Sequence, residues 1–248
     1  MRYTGAVRNA LLALVTLLAL LAFACGDGSD SSAGAGGVYL ALGDSIAQGE
    51  GARDAERTDY VALVEGALKQ RYGDTLTTTS LAVGAHTTQD LIDQQLQPAV
   101  EAIQRGDVRV VTITIGGNDL YVLANDPVCP ADPASPECPF DDILAGAAQR
   151  LDTILRTLRD AGSTTIAIEL YPNLFSGTGN PFEGPATFAF GELNDVIEET
   201  AARYDVLVAD PRDDFEGRAT ELTAADLHPN DDGYALIAAA FLRALGLQ

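Results

Sequence analysis

The run VRVVTITI at residues 108–115, halted by Gly116-Gly117-Asn118-Asp119, is the clearest strand in the chain. All of its residues but Arg109 are β-branched, as a strand covered on both faces requires. Working outward, residues 38–42 (VYLAL), 75–83 (TLTTTSLAV), 164–170 (TTIAIEL) and 205–209 read as four more strands. Helical spacing fills the gaps between them. The expected helices cover 59–71, 88–105 with a break near Pro98, 141–161 closed by Gly162, 188–204, and 233–245 with Asn230 as N-cap. Five strands alternating with helices predict an α/β fold, a parallel sheet with helices on both faces.

In such folds ligands bind at the carboxyl ends of the strands. Polar motifs fall at those ends: Gly43-Asp44-Ser45 after the first strand, Gly84-Ala85-His86 after the second and Gly116-Gly117-Asn118-Asp119 after the third. His228-Pro229-Asn230 follows the fifth. No internal repeat or second domain is evident.

The chain has 248 residues, 15 basic and 36 acidic, with a formal charge of −21, which argues against nucleic acid as a partner. A hydrophobic content of 47% excludes disorder. With only two histidines, any histidine base must be His86 or His228.

Arg2 and Arg8 precede an apolar run at residues 10–24, too short to span a bilayer but suited to a signal peptide. Cys25 follows, then a Gly/Ser/Asp/Ala tract to residue 37 that reads as a flexible tether. This arrangement resembles the lipobox of bacterial lipoproteins, which implies lipidation of Cys25 and an extracytoplasmic, membrane-anchored protein at the cell surface or in the periplasm. Cleavage after Ala24 with simple secretion, or an uncleaved anchor, are the alternatives. The expected organisation is a signal at 1–24, a tether at 25–37 and one domain at 38–248. Cys129 and Cys138 bracket PADPASPE, and an oxidising compartment favours a disulfide closing that loop. No histidine lies near enough to suggest a metal site there.

Acyl transfer to a side chain needs a hydroxyl, a base, a group orienting the base, and donors for the developing oxyanion. Ser45, His228 and Asn118 stand on rim loops where they could supply the first, second and last of these. Asp44 and Asp119 are expected to hold loops through backbone N–H groups. His86 is expected as a polar loop residue beside the site, and Asp231 and Asp232 as first-turn helix acids.

Gly43-Asp44-Ser45, Gly116-x-Asn118-Asp119 and His228-Pro229-Asn230-Asp231-x-Gly233-Tyr234, in that order, resemble the GDSL or SGNH hydrolases over residues 38 to about 246. The resemblance implies a three-layer, flavodoxin-like α/β/α sandwich that hydrolyses esters or thioesters without metal or other cofactor. By position it makes Ser45 the nucleophile and His228 the base. The oxyanion donors would be the Ser45 N–H, the Asn118 amide, and an N–H from Gly84 or Ala85. The family's Gly-x-Thr frame falls on Ala85-His86-Thr87, with Gly84 one position earlier. Its acid, three residues before the histidine, falls on Ala225; Asp226, two before, or a backbone carbonyl would then orient His228.

The reading is an exported serine esterase or lipase acting on a small-molecule or lipid ester, with the membrane met only through the N-terminal anchor. The alternative from another class is a catalytically silent, surface-tethered binding protein on the same scaffold. A nucleotide-binding role lacks its Gly-x-Gly-x-x-Gly. Loops 121–140 and 171–187 are expected to line or cover the substrate pocket. Acyl length and oligomeric state are not legible.

Overall fold

The computed structural model describes residues 36–248; the expected signal segment, Cys25 and nearly all of the tether lie outside the described residues. The strand expected at 108–115 forms the middle of a five-stranded sheet. The strands are β1 (Gly37–Gly43), β2 (Leu76–Ser80), β3 (Val108–Thr114), β4 (Thr165–Glu169) and β5 (Leu207–Ala209), in the order β2-β1-β3-β4-β5. All four pairings are parallel. Every β3 residue except Arg109 is buried, because helices cover both faces. Gly37, the last residue of the expected tether, already pairs with Leu76 in the sheet.

Helix α1 (Tyr60–Tyr72) is capped by the Asp59 carboxylate, which accepts from the Ala62 amide at 2.6 Å. It packs against α5 (Asp231–Ala244), with Tyr60 stacked on Phe241 at 4.8 Å between ring centres. Across the sheet, α3 (Phe140–Ala161) lies between α2 (Leu96–Gln104) and α4 (Glu183–Arg203). Its inner stripe of Ala147, Leu151, Ile154, Leu155 and Leu158 is fully buried, and each larger side chain contributes about 1.5–3 kcal/mol by leaving water. The result is the expected three-layer α/β/α sandwich.

Several boundaries differ from expectation, among them the end of β2, at Ser80 and not 83, and three of the differences have a local reason. Helix α4 starts at Glu183, not 188, because Pro185 falls in the first turn, where an N–H has no intrahelical partner to lose. The loop expected at 171–187 is shorter accordingly. The break foreseen near Pro98 is a widened π-turn at Leu91–Gln95, set between a short turn, Thr88–Asp90, and α2. Strand β5 loses its first two expected residues because Asp205 is left-handed (φ 53°) and Val206 bonds back to the Ala201 carbonyl.

Cys129 and Cys138 form a disulfide with their Cα atoms 5.1 Å apart. It ties together the loop that connects the rim of β3 to α3.

Candidate active site

Gly43 ends β1 with φ 140°, and a Cβ there would lie 2.1 Å from the Thr114 carbonyl oxygen of β3. No side chain fits so close an approach. The next amide, Asp44, donates to that same carbonyl at 3.0 Å, which turns the chain sharply at the rim. Asp44 then caps the turn Ser45–Gln48, accepting from the Ile46 amide at 3.0 Å. Its other oxygen accepts from the Tyr171 hydroxyl at 2.5 Å. Asp44 thus holds a loop, as the sequence reading expects. Burial pushes its carboxyl up to about 7, against the downward pull of Tyr171, the Ile46 amide and His228.

Ser45 opens that turn, and its Oγ lies 2.9 Å from His228 Nε2. The loop bearing His228 is tight: Ala224 donates to the His228 carbonyl at 2.8 Å, and Thr223 bridges Pro229. Asn230 caps α5 by accepting from the Asp232 and Gly233 amides. Leu227 is left-handed (φ 69°), which bends the chain between Asp226 and the imidazole.

Asp226 Oδ2 lies 3.3 Å from His228 Nδ1. The alignment is poor, and Nδ1 has no hydrogen-bond partner among the described residues. Neither a carbonyl nor a well-placed carboxylate orients the ring. The two-residue spacing explains the misfit, since Asp226 Oδ1 is already engaged by the His228 amide at 3.2 Å. Partial desolvation pushes the Asp226 carboxyl up, but the amide and imidazole of His228 outweigh it and hold it below the ordinary range. A second carboxylate, Glu50, approaches Nε2 at 3.5 Å from the solvent side.

On the loop after β2, the Gly84 amide donates to Gln48 Oε1 at 2.6 Å. Ala85 takes the left-handed conformation (φ 61°) that a glycine would adopt without strain. The Asn118 amide donates to the His86 carbonyl at 3.0 Å, which joins the second and third rim loops. Asp119 is buried and anchors the same loop from below, accepting from the Thr88 amide and hydroxyl and from Arg150.

Gln95, which sequence reasoning missed, binds these loops to the Ser45 turn. Its Oε1 accepts from the Gly43 amide at 2.9 Å, and its Nε2 donates to the Gly43 carbonyl at 2.8 Å. Because Nε2 is a donor, His86 Nδ1, at 2.9 Å, must accept, and a neutral His86 carries its proton on Nε2. The signal was a glutamine four residues after Leu91, on the same helical face and fully buried. The π-turn is what brings it under Gly43.

Glu169 was also missed, although an acid inside TIAIEL could have pointed to it. It is fully buried, accepts from Thr114 Oγ1 at 2.7 Å, and leaves Oε1 without a partner among the described residues. Burial pushes its carboxyl up to about 8, with the nearby Asp44 charge adding to the shift.

The chain matches the model of the GDSL-like Lipase/Acylhydrolase family over residues 41–236. It belongs to that family. This GDSL-like acylhydrolase is therefore an ester-hydrolysing enzyme. No curated protein matches its sequence. Among solved structures it is similar to an acetylxylan esterase, Axe2, from Geobacillus stearothermophilus. The two share 22% identity over 88% of this chain and 97% of that one, with a TM-score of 0.64. It is also similar to the lipase Lip_vut3 from a goat rumen metagenome, with 19% identity, coverage of 84% and 96%, and a TM-score of 0.68. A third is LAE5, an alpha/beta hydrolase enzyme from the metagenome of Lake Arreo, Spain, with 22% identity, coverage of 86% and 97%, and a TM-score of 0.63. At these identities the likeness carries the fold.

The Glu169 shift has a definite sign. Its folded value, about 8, lies above its ordinary 4.5, so the native state keeps a proton that the unfolded chain has released. Stability from this group is present below 4.5 and is lost as pH rises toward 8. Glu169→Gln should therefore gain on the parent across that interval, by on the order of a few kcal/mol at its upper end. Urea midpoints at several pH values read this directly; parallel curves for the two proteins would count against it.

Proposed function

We propose that this acylhydrolase is an exported serine esterase working through an acyl-Ser45 intermediate. The observation that carries the reading is the 2.9 Å contact between Ser45 Oγ and His228 Nε2, two residues 183 apart in sequence. As Oγ attacks the ester carbonyl, its proton passes to Nε2 and the Oγ–carbon bond forms. The oxyanion faces the Ser45 N–H, the Asn118 amide and the N–H of Ala85, the Gly84 amide being committed to Gln48. The carbon–oxygen bond to the alcohol then breaks, and His228 returns the proton to the departing oxygen. Water repeats the sequence on the acyl-enzyme, delivering its proton through His228 and releasing acid and free serine.

Asp226 serves as a loose orienting charge for the imidazolium. Its side chain is 59% exposed, so solvent screens it. Export rests on Arg2, Arg8, the apolar run at 10–24 and the lipobox-like Cys25, which together read as a lipid-anchored N-terminus.

Ser45→Ala should lose at least about 10³-fold in kcat toward p-nitrophenyl butyrate while its circular dichroism is unchanged. Retention of more than a few per cent of the parent rate would remove Ser45 from the mechanism. Asp226→Ala should cost only about 10- to 100-fold, well short of the ~10⁴ seen where a buried triad aspartate is replaced. A loss as large as that from Ser45→Ala would contradict the loose geometry. Cys25→Ser should shift esterase activity from the membrane to the soluble fraction of the producing cells. Unchanged fractionation would refute the anchor.

A further inference from the structure

A cavity of about 380 Å³ opens between the loop carrying Asn118 and the loop carrying His228. Gly117, the neighbour of Asn118, and Leu227, the neighbour of His228, both stand in its wall. Among the described residues no charged side chain lines it, in a protein whose formal charge is −21. One wall is the first half of α4, where Ala186 and Ala189 recur at helical spacing and leave room that larger side chains would fill. The opposite wall is Leu120, Leu123 and the disulfide loop with Cys129 and Pro130. At the mouth Tyr121 is 70% exposed and Phe182 39% exposed, so the outer end is open and apolar.

We propose that this cavity is the acyl subsite, and that it makes the enzyme selective for medium-chain acyl esters of polar alcohols. The proposal rests on the reading of Ser45 as the acylated residue. Proton return places the leaving oxygen at His228 Nε2, and that side carries the half-exposed Glu50 carboxylate, 3.5 Å from Nε2. A polar, hydrated alcohol suits such an exit. The oxyanion turns toward Asn118 and Ala85. The remaining substituent of the carbonyl carbon, the acyl chain, is the one left to enter the apolar cavity, whose wall includes both Gly117 and Leu227.

Size follows from volume. A dry cavity of about 150 Å³ holds a six-carbon ring, which sets an upper bound of about fifteen carbons here and roughly eight to twelve for a chain packed less tightly. Longer chains would lie across Tyr121 and Phe182 and gain little more. A shorter acyl group, acetyl above all, leaves the lining exposed to water and forgoes its burial.

The test is a series of p-nitrophenyl esters from acetate to hexadecanoate at fixed alcohol. Specificity constants should rise about two- to fourfold per methylene up to octanoate, then level between about eight and twelve carbons. Ala186→Trp should lower the octanoate-to-acetate ratio at least tenfold. A second readout needs no turnover: p-nitrophenyl octylphosphonate should label Ser45 at least tenfold faster than the methylphosphonate. A flat acyl series with Ser45 still labelled overturns the subsite and leaves the serine mechanism standing. A flat acyl series with a rising series of alkyl acetates assigns the cavity to the alcohol and overturns the proposal equally. No labelling and no turnover of any ester removes the mechanism and the subsite with it.

Discussion

The Thr114 carbonyl occupies the space that a β-carbon on residue 43 would need, and it bonds the amide of residue 44. Through that contact the first and third strands meet at their carboxyl ends with no side chain between them. The chain must turn there, and the turn delivers Asp44 as a cap and Ser45 as the first residue of a helical turn. Gln95 closes the arrangement from the second loop by satisfying both backbone groups of Gly43. Position 43 is thus held on three sides by backbone or amide groups of defined polarity, and Ser45 inherits that rigidity.

Beneath the rim the protein stores unusual acids. Asp44, Glu169, Tyr60 and Tyr171 are all buried, and Thr114 links Tyr60 to Glu169. Low dielectric raises the proton affinity of each. The groups beneath the rim thus hold their protons more tightly than in water, while the carboxylates that flank His228, Glu50 and Asp226, are open to water.

Much of this was legible before any coordinates. A strand buried on both faces announces itself by continuous β-branched residues, so β3 and the sheet around it could be read directly. Ser45 and Asn118 fall at strand ends, where a parallel sheet gathers its loops, His228 lies in the long connection from β5 to α5, and the fold does bring Ser45 and His228 into contact. Gln95 was hidden because its partners, Gly43 and His86, lie on other elements and its position depends on a π-turn that hydrophobic spacing does not encode. The choice between Gly84 and Ala85 turns on one bond from Gln48 and one positive φ, both products of tertiary packing. The start of α4 was misplaced because Pro185 reads as a breaker in sequence, yet is harmless in a first turn.

The 183-residue gap between Ser45 and His228 has a consequence for the protein's maker. A chain growing from its N-terminus carries Ser45 long before it carries His228, and the turn that positions the serine awaits β3. No partly synthesised length short of residue 228 holds the pair. The contact between Ser45 and His228 is assembled only when the last loop docks.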